Sequence, residues 1–222
     1  MFFDKLNTYF IHIPKNAGTS IEQTLLQTYY NSELILYKQV ASDTIFKSNL
    51  FWTTISLMFS TNYVPNSIDK EITTNIRNYH HKLEQCEPKD TIVFTVVRNP
   101  YARIESLYKF TNSYKFHTFS EFIHRCFGPN QYHLNEFIVE TQVSYICDAS
   151  GKIDPRVQIL KYESLADDWY AFCKQHRFKC NTLLRENISN QSDKIKIKWT
   201  KSLRKIVYEH FHRDFEQLGY TI

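Results

Sequence analysis

The chain has 222 residues, a net charge of +4, 42% hydrophobic and 16% aromatic content, and only four glycines. At an average usage of roughly 7%, about fifteen glycines would be present. The four (Gly18, Gly128, Gly151 and Gly219) lie too far apart to write a G-x-G-x-x-G dinucleotide loop or a G-x-x-x-x-G-K-[ST] phosphate loop. Fifteen Tyr, seventeen Phe and three Trp supply enough apolar surface to exclude a disordered chain. The mild positive balance suits an anionic ligand without demanding nucleic acid.

The five cysteines, Cys86, Cys126, Cys147, Cys173 and Cys180, include no C-x-x-C pair. Free buried thiols are therefore expected rather than a zinc ribbon, and no metal is called for. The most apolar stretch, Leu50 to Phe59, is broken by Thr53, Thr54 and Ser56 and is too short to span a bilayer. No signal-peptide pattern precedes the first strand, so a soluble, cytoplasmic protein with no membrane span is expected. The length suits a single domain over residues 1–222.

In chain order, Thr8 to Ile13 is a β-branched and aromatic run that predicts a buried strand ending at Pro14. A tight turn over Pro14 to Gly18 leads into Thr19, Ser20 and then Ile21 to Leu26, which carry helical spacing. Residues 31–66 fit no clear pattern and are read as an excursion from the domain. Within Ile68 to Cys86, Ile72, Ile76, Tyr79 and Leu83 recur at helical steps. Thr91 to Val97 is the strongest strand signal, a run suited to a central parallel strand covered on both faces. Asn99 and Pro100 supply an N-cap and a first-turn proline for a helix reaching Phe110. A strand at Val157 to Leu160, a helix from Tyr162 to Gln175 and a last helix from Thr200 to Leu218 complete the pattern. This alternation predicts an α/β fold, three layers α/β/α about a central, mainly parallel sheet.

Two turns carry the chemistry. Lys15, Asn16, Ala17, Gly18, Thr19 and Ser20 fill the first strand-to-helix connection. They read either as an ordinary capped turn or as an anion site, in which helix N–H groups, two hydroxyls, a close backbone approach at Gly18 and one ammonium converge. Arg98 ends the central strand and Ser106 lies two helical turns further on. Arg98 is either a helix-proximal ion-pair partner or a ligand contact at the carboxyl end of the sheet. Taken together, the two turns suit a ligand with two separated phosphate-type groups.

The segment IHIPKNAGTSIE resembles the 5′-phosphosulfate loop of the carbohydrate sulfotransferase superfamily, and VVRNPYARIESLY resembles its 3′-phosphate motif. The segments TFSEFI, VSYICDASGKIDPRVQILKYESLADDW, ENIS and YEHFHRDFEQLGY also fall where the Golgi-type members and their soluble relatives have counterparts. The resemblance implies a P-loop-like sulfotransferase fold and 3′-phosphoadenosine 5′-phosphosulfate (PAPS) as sulfo donor. It implies that Lys15, Gly18, Thr19 and Ser20 hold the phosphosulfate and that Arg98 and Ser106 hold the 3′-phosphate. Asn16 and Ala17 belong to the same loop, and Asn187 and Ser189 fall on a looser N-x-S match near the donor. Tyr162-Glu163 matches a position read as structural.

Sulfo transfer by in-line displacement needs donors aimed at charge growing on the leaving phosphate, and a base for the acceptor hydroxyl. Lys15 is the expected donor to the leaving oxygen. His80 or His81 is the expected base, since the family often places a histidine before the central strand and a neutral imidazole suits that role near pH 7. Glu22 and Glu71 are outsiders for it. His12, inside the first strand, is expected to be a packed core residue, and His210 and His212 solvated ones. The expected partners are PAPS and a hydroxyl acceptor, a sugar first, with no nucleic acid. Six basic residues (Lys194, Lys196, Lys198, Lys201, Arg204, Lys205) and no acid occupy 194–205. They read as a solvated face, or as a contact to the 3′-phosphate or an anionic acceptor. The competing reading of the whole chain is a non-catalytic module that binds an adenine nucleotide or a polyanion on the same fold.

Overall fold

The structure is a computed structural model, and it describes residues 1–29, 90–128, 140–179, 182–184 and 195–222. These fall into two compact units, one holding 1–29, 90–98, 144–179 and 182–184, the other 99–128, 140–143 and 195–222.

The first unit is built on four strands in the order β1 (Phe2–Phe3), β2 (Thr8–Ile11), β3 (Ile92–Val97) and β4 (Val157–Lys161). β1 runs antiparallel to β2, while β2, β3 and β4 are mutually parallel. The sheet is thus mixed and mostly parallel. Helix α1 (Gly18–Tyr29) follows β2, and helix α4 (Leu165–Gln175) follows β4 after one 3-10 turn at Tyr162–Ser164.

Register explains the core. Phe10 pairs with Phe94 and Val96 with Leu160, so these side chains share one face of the pleat. There they form one cluster with Ile21 and Leu25 of α1 and with Trp169, Phe172 and Cys173 of α4. The Phe10 and Phe94 rings stack at 4.9 Å, and Phe94 meets Phe172 at 4.6 Å. On the opposite face Tyr9, Ile11, Val93, Thr95 and Val97 are buried as well. Burial on both faces is why β3 reads as a continuous apolar run.

The second unit packs three helices, α2 (Pro100–Phe110), α3 (Phe119–Phe127) and α5 (Lys201–Leu218). Their shared core holds Ile104, Tyr108, Phe122, Ile123, Val207 and Phe215. Each helix begins on a side-chain cap. Asn99 accepts from the Tyr101 amide at 2.9 Å, and Thr200 accepts from the Leu203 amide at 3.2 Å. Thr118 and Glu121 form a reciprocal capping box at the start of α3. Buried Asp214 of α5 accepts from the backbone amides of Gln142 and Val143 at 2.9 and 3.0 Å. Burial pushes its carboxyl above the usual range, against the pull of those bonds and of Arg103.

The strands and helices predicted at 8–13, 91–97, 157–160 and 200–218 are present with ends moved by one or two residues. The elements outside that prediction include β1, two residues long, and α3. Gly128, which had no role beyond a turn, closes α3. A Cβ there would stand 2.4 Å from the His124 carbonyl oxygen. Cys126 and Cys173 are free and buried, and Cys147 is free and half-buried.

Candidate active site

The phosphate-loop candidate hangs on the carboxyl end of β2. His12, Ile13 and Pro14 are buried, and the chain then turns through Lys15 and Ala17, whose φ angles are 70° and 62°. Left-handed backbone at two non-glycine residues is held only where the surroundings dictate it. Asn16 between them is buried, and its Nδ2 donates to the Val96 carbonyl of β3 at 2.9 Å. That bond ties the middle of the loop to the sheet. It gives Asn16 an anchoring role, one that explains its presence in the loop without a ligand.

Gly18 opens α1, and the first repeating helical bond runs from the Ile21 amide to the Ala17 carbonyl at 3.2 Å. The amides of Gly18, Thr19 and Ser20 precede that bond and so have no intrahelical acceptor. Thr19 is exposed and Ser20 half-buried. Gly18 does not need a positive φ. It is glycine because the His12 imidazole fills the space where a Cβ would go, with Nε2 only 2.0 Å from that point.

Arg98 leaves the end of β3, and its Nη1 donates to the Lys15 carbonyl at 3.3 Å. Its guanidinium lies over the Tyr162 ring, 4.0 Å from the centroid, at the end of β4. A cation over a ring face is held there by the ring quadrupole. Lys15, Arg98 and Tyr162 therefore stand at the carboxyl ends of three adjoining parallel strands, the place where open α/β sheets take ligands. Burial, and secondarily the Arg98 charge, lower the Lys15 ammonium to a pKa of about 7. Two basic side chains beside helix N–H groups at the end of the sheet have a chemistry that fits a phosphate or sulfate ester.

Seven of the sequence-predicted residues, Lys15 to Ser20 and Arg98, belong to the first unit. Ser106 is half-buried on α2 in the second unit, and its link to Arg98 rests on motif spacing. His80, His81, Glu71, Asn187, Ser189, Lys194 and the stretch 31–66 lie outside the described residues. Glu22 is described: it is buried, with its carboxylate 2.8 Å from His12 Nδ1. A carboxylate so enclosed is poorly placed to take a proton from an acceptor. His12 is the packed residue expected of it, and the pairing with Glu22 is what sequence reasoning missed. His212 is exposed, whereas His210 is half-buried against the rings of Phe127 and Phe211. Of the basic segment, Lys196, Lys198, Lys201, Arg204 and Lys205 are exposed while Ile195, Ile197 and Trp199 pack on the helical core.

Comparison with known proteins gives one family. A family model described as Sulfotransferase family matches residues 1–221. No curated protein and no solved structure matches the chain. No helix among the described residues is long and apolar enough to cross a membrane.

Proposed function

Because the chain belongs to the sulfotransferase family, whose sulfo donor is PAPS, we propose that it transfers the sulfo group to a carbohydrate hydroxyl. We further propose one catalytic domain over residues 1–222, with donor-site residues Lys15 to Ser20, Arg98 and Ser106. The observation that carries the donor site is the convergence of Lys15, Arg98 and the α1 N-terminus at the carboxyl end of the parallel sheet.

PAPS supplies an activated sulfo group together with two separated anionic ends. The α1 amides and the hydroxyls of Thr19 and Ser20 bind the phosphosulfate end. Lys15, protonated, stabilises the phosphate oxygen that gains charge as the S–O bond breaks. Removing such a donor costs about 3–4 kcal/mol of barrier. Arg98, pre-oriented by Tyr162, takes the 3′-phosphate, with the Ser106 hydroxyl assigned alongside it by the motif. The acceptor proton is assigned to His80 or His81, and the N-x-S residues Asn187 and Ser189 to the donor's surroundings. The preference for a sugar acceptor rests on the motif resemblance, and residues 31–66 are assigned to acceptor binding.

Binding and turnover test the two halves separately. 3′-Phosphoadenosine 5′-phosphate (PAP) at a hundred times its Kd should stabilise the fold by about 2.7 kcal/mol. AMP at the same concentration should stabilise it far less. Equal shifts from the two ligands would remove Arg98 and Ser106 from the donor site. Incubation with labelled PAPS and a panel of sugars, sterols and small phenols should label the sugars. Tight PAP binding with no acceptor sulfated would return the chain to a binding module.

A further inference from the structure

We propose that His12 and Glu22 are positioning residues for the donor loop: a buried imidazole–carboxylate pair that fastens both ends of the loop and so sets the aim of Lys15. The inference rests on the donor-site reading above and deepens it. Neither residue has a place in the transfer chemistry itself.

His12 is the first residue after β2, and Glu22 lies one helical turn beyond Gly18 on α1. The two side chains are 7% and 3% exposed, and Nδ1 stands 2.8 Å from Glu22 Oε1. A carboxylate only accepts, so Nδ1 carries the proton and the ring's Nε2 edge is turned to the other side. That edge lies against Gly18, where a Cβ would be 2.0 Å from Nε2. The ring's orientation is further held by stacking on Phe10 at 5.7 Å. One imidazole thus touches the chain before the loop, the first residue after it and, through Glu22, the following turn.

Between these fastenings sit Lys15 and Ala17 in left-handed backbone, with Asn16 pinned to Val96. Such a conformation persists only when its neighbours over-determine it. Loosening the His12 end lets the loop relax toward ordinary backbone, which separates the Lys15 ammonium from the helix amides. Donor affinity and turnover then fall even though no ligand contact has been removed. A misplacement near 1 Å in a transfer site costs on the order of 100-fold.

The test measures PAP affinity by calorimetry, kcat with PAPS, and thermal stability for His12→Ala, Glu22→Ala, Glu22→Gln, Gly18→Ala and the Gly18→Ala/His12→Ala pair. His12→Ala and Glu22→Ala should each weaken PAP binding roughly 10- to 100-fold and lower kcat. Glu22→Gln keeps an acceptor for Nδ1–H and should recover affinity to within about threefold of the native chain. Gly18→Ala should weaken PAP about tenfold alone, yet add less than about twofold once the imidazole is gone, because the methyl then has room. That non-additivity is a readout that a general loss of stability does not produce. PAP affinity and kcat unchanged in His12→Ala and Glu22→Ala would overturn the proposal, as would an equal Gly18→Ala effect in both backgrounds. If either alanine variant fails to fold, the Glu22→Gln and Gly18→Ala chains still decide it: PAP binding at native strength in Gly18→Ala is fatal. Lys15→Ala separates the two levels. A native chain that ignores PAP, with Lys15→Ala no different, removes the donor site and this inference with it. Binding that responds to Lys15 and ignores His12 removes the inference alone.

Discussion

Lys15 sits where two opposing demands meet. The proposed donor site must attract a highly charged ester, and the same enclosure that sharpens its electrostatics penalises a free ammonium. Burial first and the Arg98 charge second bring its pKa to about 7. The sign of the consequence is fixed by proton counts. Between about pH 7 and the ordinary lysine value, the unfolded chain binds this proton and the folded chain does not. The free protein therefore gains stability from this group as pH rises through that window. Donor binding runs the other way, because the anion wants the protonated form. PAP affinity should fall by up to about tenfold per pH unit above pH 7, with net uptake of a proton on binding. Calorimetry in buffers of different ionisation enthalpy reads that proton directly. Lys15→Arg, whose charge does not titrate in this range, should flatten the pH profile, and a slope unchanged in that variant would assign the proton elsewhere.

Among the elements, those written by local chemistry were the ones legible in the sequence. β2 and β3 stand out as β-branched and aromatic runs because their residues are buried on both faces, and α2 announces itself by Asn99-Pro100. α3 carries a capping box, T-x-x-E, at Thr118 and Glu121, a helix-start signal written in the local sequence. β1 has too few residues to show a period, since its two residues are ordered by pairing with Thr8 and Tyr9. The Pro14–Gly18 turn was legible as a motif, but the His12–Glu22 contact behind it was not. His12 and Glu22 meet only through the helical geometry that brings position 22 back over the end of β2. Likewise Tyr162 and Arg98 are brought together by parallel pairing of β3 and β4, which spacing along the chain cannot express. The α3 cap supports a prediction at this scale. Thr118→Ala removes the acceptor for the Glu121 amide and should cost about 1 kcal/mol of stability, read by thermal or urea unfolding. Bonds from the Thr118 amide and hydroxyl hold the Glu121 carboxyl below its usual range, so the stability it contributes is present above the unfolded pKa and lost as pH falls through the lowered one. The Thr118→Ala deficit should therefore shrink in acid. A deficit that persists undiminished at pH 3 would place the cap's value in the hydroxyl alone.

For the whole molecule the open matter is whether two compact units, each with its own aromatic cluster, melt as one. The family model spans both units, which supports a single catalytic domain. Each unit carries its own described tryptophan. Trp169 is fully buried among Phe94 and Phe172 in the first unit, and Trp199 donates its indole N–H to Glu105 at 2.6 Å in the second. Single-tryptophan chains follow from this: Trp52→Phe combined with Trp199→Phe leaves Trp169 as the reporter, and Trp52→Phe combined with Trp169→Phe leaves Trp199. A single domain predicts that, within each chain, the fluorescence transition coincides with loss of far-ultraviolet helical signal. It also predicts that PAP at a hundred times its Kd shifts both reporters by the same amount, about 2.7 kcal/mol, although Lys15 and Arg98 belong only to the first unit. Core truncation at Trp169 lowers overall stability, so the comparison is made on the ligand-induced shift rather than on the midpoints. A PAP shift confined to the Trp169 reporter would mean that the helical unit unfolds on its own, and the single-domain reading would fail.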